Sequence, residues 1–196
     1  MAATETIHIF TRDELQRLFK AITTRTVQGK RDKAIFYAAY HYCLRASEVG
    51  LLERADVDFQ ELRIHVHRLK SGHSGTYPLH PSLARILKSY LGARKDASPI
   101  LFPSNRLLPI NRRTLHVLMR KYGEKAGIPG EKQHFHVLRH TGVTHFLEST
   151  GGSTPLAQDR AGHRNSRSTE AYIHLTTAYR DEATREAFRS GKMVTL

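Results

Sequence analysis

Apolar residues recur at helical spacing along most of the chain and alternate in one short stretch. Over residues 11–22, Leu15, Leu18, Phe19 and Ile22 share one face. Thr11 is placed to cap that helix, and Asp13 and Glu14 sit in its first turn, at the positive end of the helix dipole. Ile35, Phe36, Ala39, Tyr40 and Cys43 predict a second helix over 32–44, and a short third one is expected over 47–52 after a bend near Arg45. The period then changes to two. Leu62, Ile64 and Val66 alternate with Arg63, His65 and His67, as on a half-buried strand. Ser71-Gly72-His73-Ser74-Gly75 reads as a turn, and 76–79 return as a second strand. Helical spacing resumes over 82–92, where Leu83, Ile86, Leu87 and Tyr90 share a face. Asn111 caps a helix running to Ala126, stopped by Gly127 and Pro129. Further helices are expected over 135–148, ended by Gly151-Gly152, and over 155–161, 168–175 and 178–188.

The pattern predicts an α+β fold that is mainly α: one compact helical domain over 1–196 with a small antiparallel sheet or hairpin near 62–79. No internal repeat or linker-like stretch divides it. Hydrophobic residues make up 39% of the 196, enough for a packed core and too many for a disordered chain. Charge adds a partner. Thirty-one Lys and Arg against 18 Asp and Glu leave a net +13, which points to a polyanion, most often nucleic acid, whose counterions are released on binding. Cys43 is the single cysteine, so no intramolecular disulfide can form, in keeping with a reducing interior. No stretch approaches the roughly 20 apolar residues that span a bilayer, and the N-terminus lacks a signal peptide's basic start and apolar core. The expected setting is cytoplasmic and nucleoid-associated, with no membrane partner.

Candidate chemistry lies in the C-terminal half. In His136-Val137-Leu138-Arg139-His140, helical spacing sets His136, Arg139 and His140 on one face. Arg offers a planar fork that suits phosphate oxygens, and His moves protons near neutral pH. Downstream, Gly162-His163 precedes Tyr172 by nine residues. On one unbroken helix His163 and Tyr172 would lie on opposite faces, since nine steps of about 100° make a half-integral number of turns. A break at Asn165-Ser166, with Ser168 or Thr169 capping the next helix, can fold His163 back toward the tyrosine.

These motifs together resemble the tyrosine recombinases, also called the phage-integrase family. His-x-Leu-Arg-His, then Gly-His, then Tyr172 is similar to the family's C-terminal signature. Cys43-Leu44-Arg45-Ala46-Ser47-Glu48 resembles its first-arginine motif, and Leu69-Lys70-Ser71-Gly72, with Thr76-Tyr77-Pro78-Leu79 after it, its hairpin lysine. The likeness runs from about Phe10 to Tyr179, with the motifs in the family's order. It implies that Tyr172 attacks a DNA phosphate to give a 3′-phosphotyrosine and a free 5′-hydroxyl. Arg45, Arg139 and His163 would stabilise the non-bridging oxygens. Lys70 would protonate the leaving 5′-oxygen, and His136 would act as base or positioning group near the phenol. Glu48 would orient Arg45, and His140 would support from behind.

The resemblance further implies double-stranded DNA as partner, a homotetramer on synapsed sites, no cofactor, and integration, excision or inversion as outcome. Two departures stand out. Ala161 replaces the Leu usual before Gly-His, and catalytic-domain sequence begins by about residue 10, so the core-binding domain that family members carry first is expected to be absent. A naturally short member and an excised domain remain equally open on this point. The rival classes are a metal-dependent nuclease drawing on the 13 histidines, a non-catalytic DNA-binding relative and a type IB topoisomerase-like relaxing enzyme. Sparse carboxylates near the histidines speak against the first, the intact Arg, Lys, His, Arg, His, Tyr set against the second, and the order of motifs against the third.

Overall fold

The computed structural model of the chain describes residues 7–69, 72–164, 167–170, 172–176 and 185. Helix α1 (Arg12–Ala21) opens on a capping box: Thr11 Oγ1 accepts from the Glu14 amide, and the Glu14 carboxylate accepts from the Thr11 amide. Helix α2 (Val27–His41) starts five residues earlier than the 32–44 expected. Thr26 caps it through the Gly29 amide, and the first turn shows no apolar stripe because Val27 and Gln28 face solvent. Helix α3 (Ala46–Val49) is one turn long and shorter than predicted, and a 3₁₀ turn, Arg54–Asp56, comes after it.

The sheet has three antiparallel strands rather than two, in the order β1 (Val57–Asp58), β2 (Arg63–Val66), β3 (Gly75–Pro78). Ile64 stands between Val57 and Tyr77 in register, so one buried face runs across all three strands. A two-residue strand carries no alternation to detect, which is why β1 escaped the sequence pattern. Helix α4 (Pro81–Ala93) comes next with Pro at its first position, and α5 (Arg112–Lys125) begins at Asn111, whose side chain accepts from the Thr114 amide. A 3₁₀ turn (Gly130–Lys132), α6 (His136–Ser149) and α7 (Thr154–Ala161) continue the chain. The helix expected over 168–175 is split into α8 (Arg167–Glu170) and a 3₁₀ turn, Ile173–Thr176, with Tyr172 in the turn between them. The break at Asn165-Ser166, the hairpin lysine Lys70 and the helix over 178–188 lie outside the described residues.

Two apolar clusters hold these elements. The larger runs from Phe10 and Leu18 through Phe36, Ile64, Leu83 and Phe102 to Leu138, and its rings meet edge to face: Phe36 lies 5.7 Å from Tyr122 and 5.6 Å from Phe135. The smaller gathers Cys43, Val143, Leu147, Ala157, Ala161 and Tyr172. Helix α6 runs past α2 so closely that a Cβ at Gly142 would stand 2.2 Å from the Tyr40 carbonyl oxygen; only glycine fits that crossing. This packing fixes the N-terminal half of α6 against the C-terminal end of α2, where the candidate site forms. Among the described residues no helix is long and apolar enough to cross a membrane.

Candidate active site

The site begins where α2 ends. Cys43 adopts a left-handed conformation (φ 51°), an uncommon one for a residue with a side chain. Its backbone carbonyl accepts from two guanidiniums, those of Arg139 and Arg68. Arg68 reaches further: Nη2 donates to the carbonyls of Tyr42 at 2.7 Å and Arg160 at 2.6 Å. Arg139 Nη2 donates to the Ala161 carbonyl at 3.0 Å. The two arginines thus satisfy orphan carbonyls at the C-terminal ends of α2 and α7, where the helix dipole favours cations. Gly162 ends α7 in the left-handed region (φ 61°) and lies flat on Arg68; a Cβ there would meet the guanidinium at 2.7 Å.

One carboxylate holds this group together. Glu48, fully buried on α3, accepts from Arg45 Nη1 at 2.7 Å, from the Arg45 amide at 2.9 Å and from Arg68 Nη1 at 2.9 Å, while Arg139 Nη1 stands 3.9 Å away. Burial would raise the carboxyl's pKa, yet the Arg45 amide and the Arg68 guanidinium bring it below the usual range, so it is charged. Three guanidiniums share one negative charge. Burial first, then the nearby Arg45, push Arg139 down to about 10. The Arg45 side chain keeps 32% of its surface exposed and Arg139 4%, so the open side of the set faces through Arg45.

His163 and Tyr172 complete it. His163 is buried, and its Nδ1 lies 2.8 Å from Thr169 Oγ1 on α8, which fixes the ring; burial, then Arg139, hold it down to about 4. The Tyr172 ring packs in the smaller apolar cluster, 6.4 Å from the His163 ring and nearly parallel to it. Burial pushes the phenol pKa up and Arg139 pulls against that shift. The phenol oxygen lies 2.7 Å from His140 Nδ1. The sequence expectation set His136 near the hydroxyl and His140 behind; it is His140 that lies beside the phenol here. The i and i+4 positions of α6 share a face, and spacing alone does not say which one meets the tyrosine. His136, in the first turn of α6, is exposed and its ring centre lies 6.2 Å from that of His140.

The structure therefore brings Tyr172, Arg45, Arg139, His163, His140 and Glu48 together, with His136 at the rim; Lys70 lies outside the described residues. Arg68 and Thr169 are participants that sequence reasoning missed in these roles. An arginine in an exposed-looking hairpin gives no sign that it turns inward, whereas Thr169 stood out only as a helix cap. Among the described residues no group of three or more His, Cys, Asp or Glu is arranged to hold a metal ion; His67 instead bonds Asp56 at 2.8 Å.

A mainly helical domain with a three-stranded sheet, its arginines, histidines and tyrosine gathered at one helix junction, has the build of a phage-integrase-type catalytic domain. Residues 8–178 match the phage integrase family, and the chain belongs to that family. It is 33% identical over 180 residues to the tyrosine recombinase XerA of Pyrococcus horikoshii, covering 90% of this chain and 60% of that relative. It is also 33% identical over 169 residues to the type 1 fimbriae regulatory protein FimB of Escherichia coli, covering 84% and 83% of the two chains. A crystal structure of XerA recombinase superposes with a TM-score of 0.77 at 29% identity, over 96% of this chain and 66% of that one. The chain thus spans about three fifths of the XerA relative it matches.

Proposed function

We propose that this chain is the catalytic domain of a site-specific recombinase that cleaves and rejoins double-stranded DNA through a 3′-phosphotyrosine on Tyr172. The observation that carries the reading is the phenol of Tyr172 set beside His140 and His163 in a junction where three guanidiniums share one carboxylate. A phosphodiester supplies the counter-charge those cations lack. Arg45 and Arg139 bind its non-bridging oxygens, and His163, with Nδ1 on Thr169, offers Nε2 as a further donor. Charge on those oxygens grows in the transition state, so donors already fixed by Glu48 and by backbone carbonyls stabilise it without reorganising. Tyr172 is 5% exposed, so the phosphodiester has to reach its hydroxyl within the junction, beside His140. Lys70 protonates the leaving 5′-oxygen, and His136 positions the DNA at the rim. The phosphodiester energy is kept in the protein link, so religation needs no nucleotide.

Family membership and the tyrosine recombinases among the relatives support this reading over simple DNA binding, which the net charge of +13 fits equally well. It carries with it a homotetramer on synapsed sites and a cytoplasmic, nucleoid-associated setting. Incubation with a pool of nicked duplexes of randomised sequence tests it. Wild-type chain should give a covalent protein–DNA adduct that survives denaturant and forms equally in EDTA, and Tyr172→Phe should give none. An equal adduct from the mutant, or loss of the wild-type adduct in EDTA, overturns the proposal.

A further inference from the structure

The Tyr172 hydroxyl needs a proton acceptor, because burial has made the phenol harder to ionise than a free tyrosine. Among the described residues its hydrogen-bond partner is His140 Nδ1, at 2.7 Å, with the two rings tilted by 36°. If Nδ1 accepts from the phenol, the imidazole carries its own hydrogen on Nε2. Nε2 has no hydrogen-bond partner among the described residues. His140 also lines a cleft of about 300 Å³ between the N-terminal segment and α6, together with His8, Glu131, His134 and His136. The ring thus meets the phenol through Nδ1 and forms part of the wall of a cleft that Ile7 and Val137 also line.

We propose that His140 takes the Tyr172 proton at Nδ1 during strand cleavage and holds it as an imidazolium until religation. The proposal rests on reading Tyr172 as the nucleophile and gives that site its proton acceptor. The Tyr172 oxygen–phosphorus bond forms as the bond from phosphorus to the 5′-oxygen breaks, and the phenol proton moves to Nδ1. The departing 5′-oxygen draws its proton from a separate donor, Lys70. In religation each transfer runs backward, and His140 returns a proton to the departing tyrosine oxygen.

The charges around His140 suit this task. It faces His136 and Arg139 on its own helix, His8 from the N-terminal segment, Glu131 and His134 across the cleft, and Tyr172 from the turn after α8. Burial first, then His136, Arg139 and His8, hold its pKa down to about 4, so at neutral pH the ring is unprotonated and free to accept. An incoming phosphate adds negative charge beside Arg139, which restores basicity when DNA is bound. His136, though nearer the start of the motif, is exposed and does not touch the phenol.

The test is single-turnover cleavage of a nicked duplex recovered from the randomised pool, measured across the pH range for wild type, His140→Asn, His140→Ala and His136→Ala. Asparagine can hold a hydrogen bond to the phenol but cannot take its proton. His140→Asn should cleave about 10²–10⁴-fold more slowly, with a deficit that shrinks as pH rises and hydroxide replaces the base, while DNA retention is unchanged. Added imidazole should partly restore His140→Ala, and His136→Ala should lose less and gain nothing from imidazole. Wild-type cleavage rates in His140→Asn, or a pH-independent deficit in it, overturn the assignment while leaving Tyr172 as nucleophile. Absence of any wild-type adduct overturns the nucleophile reading itself. Should His140→Asn fail to melt cooperatively, His140→Gln takes its place under the same criteria.

Discussion

Replacing Glu48 by Gln keeps the shape of the side chain and one carbonyl acceptor but removes the single negative charge among Arg45, Arg68 and Arg139. Arg68 is fully buried and Arg139 4% exposed, so neither can turn to water for compensation. Removing one partner of a buried ion pair leaves the other as an uncompensated charge, at about 3–5 kcal/mol. The amide can still accept one hydrogen bond, and backbone carbonyls already hold Arg68 and Arg139, so the lower end of that range applies. A loss of about 3 kcal/mol is a large part of the roughly 5–15 kcal/mol that holds a typical domain folded. For a domain of this size it lowers the melting temperature by about 6–12 °C. Differential scanning calorimetry on wild type and Glu48→Gln reads this directly. A second measurement isolates the cause: in Glu48→Gln with Arg68→Met, the buried charge is removed together with its partner, so the double mutant should be more stable than the sum of the single losses predicts. A melting temperature within a degree or two of wild type for Glu48→Gln, or strictly additive losses, would refute the shared-carboxylate account.

Acid should unfold the chain through its buried histidines. His140 and His163 are held down to about 4 and His41 to about 3, all by burial first, against an ordinary value near 6.5 in the unfolded chain. Below about pH 6.5 the unfolded state binds protons that the folded state refuses, so stability present at neutral pH is lost progressively as pH falls toward 4. Circular-dichroism melts at about pH 7 and about pH 5 should differ clearly, with a smaller difference for His140→Asn; equal melting temperatures in wild type would contradict the burial of these rings. Gly142→Ala separates close packing from helix propensity. In an open helix the change would stabilise by about 1 kcal/mol, whereas here the new Cβ meets the Tyr40 carbonyl at 2.2 Å and should destabilise by about 1–3 kcal/mol in urea titration.

The helices were legible where one face is apolar and a capping residue marks the start, as at Thr11, Asn111 and the α4 stripe of Leu83, Leu87 and Tyr90. Their ends were less so. The first turn of α2 is exposed, and β1 is too short to show a period. The split of the helix predicted over 168–175 reflects tertiary demands rather than propensity: Thr169 must reach His163 while the Tyr172 ring enters the small cluster. Within the site, only the family resemblance grouped Arg45, Glu48, Arg139, His163 and Tyr172; spacing by itself set His136, Arg139 and His140 on one helix face and let a chain break bring His163 back toward Tyr172. It could not rank His136 against His140. Nor could it show Arg68 turning inward, since an arginine in a hairpin is ordinarily a solvated residue and its partners here are carbonyls 25 to 92 positions away.

Those carbonyls explain how the site can be both stable and hungry for an anion. Burying a guanidinium is costly unless its donors are matched, and the Cys43, Tyr42, Arg160 and Ala161 oxygens match the terminal nitrogens with dipoles rather than charges, leaving Arg68 Nε buried without a partner among the described residues. Dipoles satisfy hydrogen bonds without cancelling the field. Glu48 cancels one charge of three, which leaves the set net positive. A ground-state phosphodiester carries one negative charge spread over two oxygens, and the transition state concentrates more on the same atoms. The interaction with fixed cations therefore grows along the reaction coordinate, which is the condition for catalysis rather than mere binding. A second acid in place of one of the four carbonyls would make the resting site more comfortable and the reaction slower.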